Sequence, residues 1–133
     1  EKTRVVNVWG EPLDFLGYTL RHDRDLCGRE HRYLNMFPSR KAMERERARL
    51  RQMTGPRMCF KPIPHLVGEL NEHLRGWSSY FGQGYPRGAF RQINHYVRKR
   101  LYCHLRRRSQ RPWHPPKGVS VHEQFKRMGL IYL

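Results

Sequence analysis

The chain has 133 residues, and 27 lysines and arginines against 11 aspartates and glutamates give it a formal net charge of +16. This length fits one small domain, and a hydrophobic share of 38% allows a modest core. No stretch approaches the roughly 20 consecutive apolar residues of a membrane-spanning helix, so we expect no membrane partner and a cytoplasmic protein. The isolated Cys27, Cys59 and Cys103 fit neither a disulfide framework nor a cysteine-pair zinc site. Because the sequence begins at Glu1 and not at Met, we expect it to be a piece of a longer polypeptide.

The basic residues are concentrated in one segment. Between Gly82 and Arg111 there are nine lysines and arginines and no acidic residue, whereas residues 1–37 carry six groups of each sign. Such a charge density repels itself unless an anionic partner neutralises it, and a phosphate backbone is the commonest partner of this kind. The charge pattern therefore predicts nucleic-acid binding, with an acidic membrane surface as the weaker alternative.

Residues 1–37 are predicted to form a β-hairpin with a long loop. Residues 15–20 and 33–37 are β-prone, and the polar stretch between them contains Asp23 and Asp25. Paired carboxylates can hold Mg²⁺, but turn chemistry explains these two better. We therefore assign no metal site to the hairpin.

Three helices are predicted within residues 38–111. Ser39 is a suitable N-cap for the first helix, which ends before Gly55 and Pro56. The second helix has an apolar stripe about 140° wide, made of Leu66, Val67, Leu70, Leu74, Trp77, Tyr80 and Phe81. Its three aromatic residues could form an exposed stacking platform, but their place on the leucine stripe favours the core. Gly76 interrupts this helix, which suggests that another backbone passes close to it.

The third helix, from about Arg87 to Arg107, is predicted to have one apolar face and one cationic face. An apolar stripe about 120° wide is made of Phe90, Ile93, Val97, Leu101 and Leu105. The opposite sector, about 100° wide, carries Arg91, His95, Arg98, Lys99, Tyr102 and Arg106. Residues 112–133 are predicted to form a proline-rich connector and a last short helix.

These side chains are the candidate nucleic-acid contacts. We expect the cationic sector of the third helix, together with Arg107, to bind phosphates and to stack on nucleotides. The first helix adds Arg40, Lys41 and Arg45 as candidates, although its own acidic residues can pair with its cations. The alternative is a solvated surface, which a cationic helix without acidic partners disfavours.

No pattern in the sequence supplies a catalytic residue or a metal site. The eight histidines show no ligand spacing with cysteine, and no nucleophile has a recognisable base. We therefore expect this chain to act by binding and not by catalysis.

Three motifs carry a family resemblance, at residues 15–18, 75–81 and 90–101. The second reads Arg-Gly-Trp-Ser-Ser-Tyr-Phe, and the third opens the basic helix. With these motifs the chain resembles, from about Leu13 to Arg107, the maturase domain of group II intron reverse transcriptases. The resemblance implies a thumb-like helical domain, also called domain X, preceded by a hairpin from the end of the polymerase palm. It also implies a domain that grips intron RNA, promotes splicing and helps to hold the template–primer duplex.

The resemblance does not bring an active site, because the family's Tyr-x-Asp-Asp motif is not in this sequence. It implies no cofactor for this domain, and Mg²⁺ only for the parent RNA-directed DNA polymerase and for the ribozyme. No cysteine-pair endonuclease module follows Trp113 either.

The sequence thus predicts a mainly α fold, a three-helix thumb-like bundle with an N-terminal β-hairpin and a short C-terminal helix. Its expected segments are residues 1–37, 38–111 and 112–133. The expected function is binding of group II intron RNA to promote splicing and mobility. One alternative is the thumb of a retroelement polymerase that grips a template–primer or RNA–DNA duplex. Another is a standalone basic scaffold that binds RNA or DNA.

Overall fold

The computed structural model describes residues 13–24, 32–108, 111 and 113–133. A three-stranded antiparallel sheet in the order β1-β2-β3 comes first. Its strands are Leu13–Phe15 (β1), Tyr18–Arg24 (β2) and Arg32–Pro38 (β3). The sequence predicted two strands here, and that prediction is corrected, because a tight turn divides the first β-prone run. At this turn Leu16 and Gly17 both have positive φ angles, of 53° and 85°.

The helices follow the sequence pattern closely. They are Arg40–Met53 (α1), Ile63–Phe81 (α2), Arg87–Arg107 (α3) and Val121–Arg127 (α4), with a 3₁₀ turn at Pro56–Met58 between α1 and α2. Ser39 caps α1 as predicted, because its Oγ accepts a hydrogen bond from the Ala42 N–H at 3.2 Å. The mainly α architecture with a short C-terminal helix is therefore confirmed. None of the described helices is long and apolar enough to cross a lipid bilayer.

The core is one cluster of apolar side chains from α1, α2 and α3, and Leu50 of α1 is completely covered in it. Leu70 and Leu74 of α2 and Ile93 and Leu101 of α3 are completely covered. Phe125 of α4 is covered to the same extent and belongs to the same cluster. Helix α4 therefore packs as part of the same bundle as the other helices.

A second, smaller apolar cluster joins the sheet to the helices, and it contains buried Tyr18 and Phe81 with Trp77 packed against them. The Tyr18 hydroxyl donates to the Tyr80 carbonyl oxygen, and the Tyr80 hydroxyl donates to the Leu16 carbonyl oxygen at 2.7 Å. The predicted core placement of the three aromatic residues of α2 is only partly confirmed. Phe81 is buried, whereas Tyr80 is 53% exposed.

One glycine prediction is wrong. A Cβ added at Gly76 would meet no described atom within 4 Å, so no backbone in the described part of the chain passes close to that position. The close approach occurs instead at Gly84, in the turn before α3. There φ is +73°, and an added Cβ would lie 2.4 Å from the Met36 carbonyl oxygen.

The C-terminal tail, residues 128–133, is held by two asparagines of the bundle. Asn71 donates from Nδ2 to the Gly129 carbonyl oxygen at 2.8 Å and accepts from the Ile131 N–H at 3.0 Å. Asn94 makes the same pair of bonds with Leu133, at 3.0 Å and 2.8 Å. The tail therefore follows a fixed path over α2 and α3.

Candidate nucleic-acid interface

One side of helix α3 faces the core, its two flanks contact neighbouring elements, and the remaining side faces solvent. Its buried residues are Ile93, Val97, Leu101, His104 and Leu105. At 100° per residue they span about 120° of the helix. The C-terminal part of the chain contacts one flank of this buried side, and α1 contacts the other. The surface left for a ligand is therefore narrower than the cationic sector that the sequence predicted.

The C-terminal part of the chain covers Arg98 and Tyr102 in part. Arg98 donates from Nη1 to His122 Nδ1 at 3.4 Å and lies over the Tyr132 ring, 5.9 Å from its centroid. Tyr102 packs edge-on against Trp113, with 5.9 Å between the ring centroids. The expectation that both side chains face outward is thus corrected. The spacing of residues along a helix gives the direction of a side chain but not what packs against it.

Helix α1 contacts the other flank through its arginines. Arg47 donates from Nη2 to Gln92 Oε1 at 3.1 Å, and Arg51 donates from Nη1 to the Tyr96 hydroxyl at 3.3 Å. Both acceptors are neutral, so these bonds orient the guanidinium groups without neutralising them. The cations of α1 therefore adjoin those of α3 on one surface.

The side of α3 that faces solvent carries His95, Lys99 and Arg106, which we call the outward row. All three side chains are exposed, and they lie within about 40° of one another around the helix. Arg91 and Arg107, also exposed, flank the row. In the described parts of the chain, no cation of α3 lies within ion-pair distance of a carboxylate. The row therefore presents its charge outward.

Arg40, Lys41 and Arg45 of α1 are exposed as the sequence predicted. Arg40 pairs with Glu44 on the next turn, with 3.3 Å between Nε and Oε1. Because both side chains are well exposed, this pair stabilises the helix by only about 0.3–0.5 kcal/mol. A phosphate can therefore displace Glu44 at little cost.

A groove of about 480 Å³ lies between the sheet, α1 and the start of α3. Arg21 of β2, Arg40 and Arg47 of α1, and Tyr85 before α3 all line it. Arg21 lies over the Phe37 ring, 5.0 Å from its centroid, and Tyr85 is 59% exposed. Three cations and two aromatic rings from separate elements thus converge at one place.

The buried His104 anchors the junction of α1 and α3. It donates from Nδ1 to the Thr54 carbonyl oxygen at 3.0 Å, and its Nε2 accepts from Arg108 Nη1 at 3.3 Å. Burial, assisted by the nearby Arg108 charge, lowers the pKa of His104 below its ordinary value of 6.5. A neutral imidazole therefore holds the end of α1 against α3.

The family model described as group II intron, maturase-specific domain matches residues 43–118, which is more than half of the chain. The chain belongs to this family. A comparison with curated protein sequences gave no match. The matched range of the maturase domain runs from α1 through α2 and α3 into the connector, so it includes the outward row. It ends before α4 and the C-terminal tail, although Phe125 and Leu130 of that region lie in the same hydrophobic core.

Two residues that line the groove between the sheet and α1, Arg21 and Tyr85, were missed by sequence reasoning. Arg21 lies outside the basic segments, and Tyr85 has no distinguishing spacing. Their convergence depends on how the sheet packs beside α1, and no local pattern of residues encodes that packing. Arg47 differs, because the sequence already indicated the basic residues of α1 as possible phosphate contacts.

No metal site is found in the part of the maturase domain that the structure describes, where no three histidine, cysteine, aspartate or glutamate side chains cluster. Asp25, considered above as a Mg²⁺ ligand with Asp23, lies outside the described residues.

Proposed function

We propose that this maturase domain binds structured group II intron RNA through the cations of α1 and α3 and thereby promotes splicing. The observation that carries the proposal is the outward row, whose charges have no acidic partner within the described residues. The arginines of α1, which adjoin α3 directly, extend this surface toward the groove beside the sheet. Family membership supports intron RNA as the polyanion.

The proposed action is electrostatic. Each phosphate that a lysine or arginine neutralises releases condensed counterions, which favours binding at low and moderate salt. Bringing several phosphates of a folded RNA close together is opposed by their repulsion, and a fixed cationic surface lowers that repulsion. The RNA would supply the catalysis with its own Mg²⁺ ions, while the protein needs no cofactor for this role.

Replacing Lys99 or Arg106 by alanine should weaken intron RNA binding. Loss of one phosphate contact should reduce the slope of log affinity against log salt by about one unit in each variant. Affinity is measured by filter binding or fluorescence anisotropy at several salt concentrations. Lys126→Ala, which removes one exposed charge from α4, is the charge-matched control and should leave the slope unchanged. Wild-type slopes in the Lys99 and Arg106 variants would refute the proposal.

A second role, gripping a template–primer duplex as the thumb of a reverse transcriptase, is favoured by the joint between sheet and helices. Tyr18 and Tyr80 each donate to a backbone carbonyl oxygen across this joint, so the sheet and bundle form one unit. Competition experiments with intron RNA, unrelated structured RNA, RNA–DNA duplex and duplex DNA separate the roles. Preferential displacement by intron RNA supports splicing, and preferential displacement by RNA–DNA duplex supports the polymerase role. Equal displacement by every competitor would indicate a general basic scaffold.

A further inference from the structure

A cavity of about 560 Å³ lies on the other flank of α1, between α1, α2 and the β1–β2 turn. Its volume is in the range of small-ligand sites. The residues that line it are of three chemical kinds. They include a carboxylate with an imidazole (Glu46 and His73), two cations (Arg45 and Arg49) and two aromatic rings (Trp77 and Tyr80). None of these residues belongs to the outward row.

Glu46 is the unusual member of this lining. Its side chain is only 1% exposed, and its Oε1 accepts a hydrogen bond from His73 Nε2. No donor among the described residues reaches its second oxygen, Oε2, which is also buried. A buried acceptor without a donor destabilises a protein, the more so if it is charged, and native proteins contain few of them. Glu46, which lines the cavity, therefore has one acceptor oxygen that no described donor uses.

The other lining residues define what kind of ligand can bring an N–H group to that oxygen. Trp77 and Phe81 have ring centroids 4.8 Å apart, and the half-exposed Tyr80 lies edge-on to Phe81, 4.7 Å away. This aromatic wall suits a flat ring. Arg45 and Arg49 are exposed at the same cavity, where they suit an anion and disfavour a cationic donor such as an arginine or lysine side chain. A nucleotide combines these features, because it has a flat neutral ring with N–H groups and an attached phosphate.

We propose that this cavity binds an unpaired guanine nucleotide of the RNA, an inference that rests on the proposed RNA-binding function. A carboxylate only accepts hydrogen bonds, and guanine is the base whose N1–H and N2–H donors lie side by side. The other bases pair acceptors with their donors, and an acceptor repels a carboxylate oxygen. Adenine and cytosine have a ring-nitrogen lone pair beside the amino group that donates, and uracil has a carbonyl oxygen on each side of its single N–H. Because Oε2 is covered in the free protein, binding requires rotamer changes at the cavity, which we expect of the long, exposed Arg45 and Arg49.

The test measures binding of short uridine-only RNA and of the same RNA with one central guanosine, adenosine or inosine. We expect the guanosine RNA to bind about tenfold more tightly than the adenosine RNA, the factor that about 1.4 kcal/mol of hydrogen bonding provides. Inosine keeps N1–H but lacks the amino group, so its affinity should be intermediate. Equal affinities for all four RNAs would overturn the guanine site.

Protein variants test the role of the carboxylate. Glu46→Gln places an amide donor in the cavity and should abolish the guanosine preference, while affinity for the uridine-only RNA stays unchanged. Glu44→Gln, on the same helix but paired with Arg40 outside the cavity, is the matched control and should keep the preference. Thermal melting by circular dichroism reports whether each variant is folded, and the inosine comparison needs no protein change. A full guanosine preference in folded Glu46→Gln would overturn the assignment.

These outcomes separate this inference from the proposed function. Salt-dependent binding of uridine-only RNA without any base preference would leave RNA binding by the outward row intact and overturn the guanine site alone. Failure of the wild-type domain to bind either structured intron RNA or any of the short RNAs would overturn both.

Discussion

Replacing Asn71 by alanine should destabilise the whole domain, because this side chain holds the C-terminal tail from within the bundle. Asn71 is 8% exposed and makes two hydrogen bonds to the tail backbone, at 2.8 Å and 3.0 Å. Each bond contributes about 1 kcal/mol, and the Ile131 N–H left without an acceptor adds a desolvation cost of about 1–3 kcal/mol. We therefore expect a loss of about 3–5 kcal/mol from the free energy of unfolding. Domains of this size have only about 5–15 kcal/mol in total.

The loss can be measured by urea unfolding followed by circular dichroism, together with hydrogen exchange at the Ile131 amide. Asn94→Ala is the matched control because it removes two bonds of nearly the same length from Leu133. Asn94 and its partner Leu133 are less deeply buried than Asn71, so water can replace the lost bonds and we expect a smaller loss of about 1 kcal/mol. If Asn71→Ala costs no more than Asn94→Ala, or if exchange at Ile131 is unchanged, the tail is not held in the way described.

Two further predictions concern glycine and histidine. Gly76→Ala should raise the free energy of unfolding by about 0.5–1 kcal/mol, since the position is helical and open. Gly84→Ala should lower the free energy of unfolding, since φ is +73° and Met36 blocks the added Cβ. Urea unfolding of both variants checks these expectations, and a stabilised Gly84→Ala variant would contradict the second. Because burial lowers the pKa of His104 below 6.5, the unfolded chain takes up a proton there before the folded chain does. The stability that His104 provides should thus be full above about pH 6.5 and decrease as the pH falls below it, and the difference in unfolding free energy between wild type and His104→Gln should shrink on acidification. A difference that does not change with pH would refute the neutral, buried imidazole.

The helices could be predicted because their signals are local. The leucine spacing of α2, the alternation of apolar and cationic positions along α3 and the Ser39 cap depend on residues a few positions apart. The division of the N-terminal β region into β1 and β2 was missed, because the turn requires positive φ at Leu16, a conformation that leucine rarely adopts.

The candidate site was predicted only in part, for a physical reason. Lys99 and Arg106 lie on the outward side of α3 as their spacing indicates, because none of the described elements packs there. Arg98 has a similar spacing, but the tail lies over it, and the path of the tail is set by contacts with residues far away in sequence. The pairing of Glu46 with His73 also joins two helices, and the pattern of α1 alone suggested only that Glu46 would pair with a neighbouring arginine.

The two asparagine clamps bind the main chain of the tail, and this has a consequence for how the tail can vary among related proteins. Amide groups are the same in every residue except proline, so most substitutions at positions 131 and 133 leave the clamps intact, whereas the φ of +94° at Gly129 favours glycine there. Shortening the chain by five residues, in contrast, removes every bond at once and exposes Arg98 and part of the core to water. We expect related sequences to preserve the length of this segment more strictly than its composition, with proline excluded at Ile131 and Leu133, whose N–H groups the asparagines require.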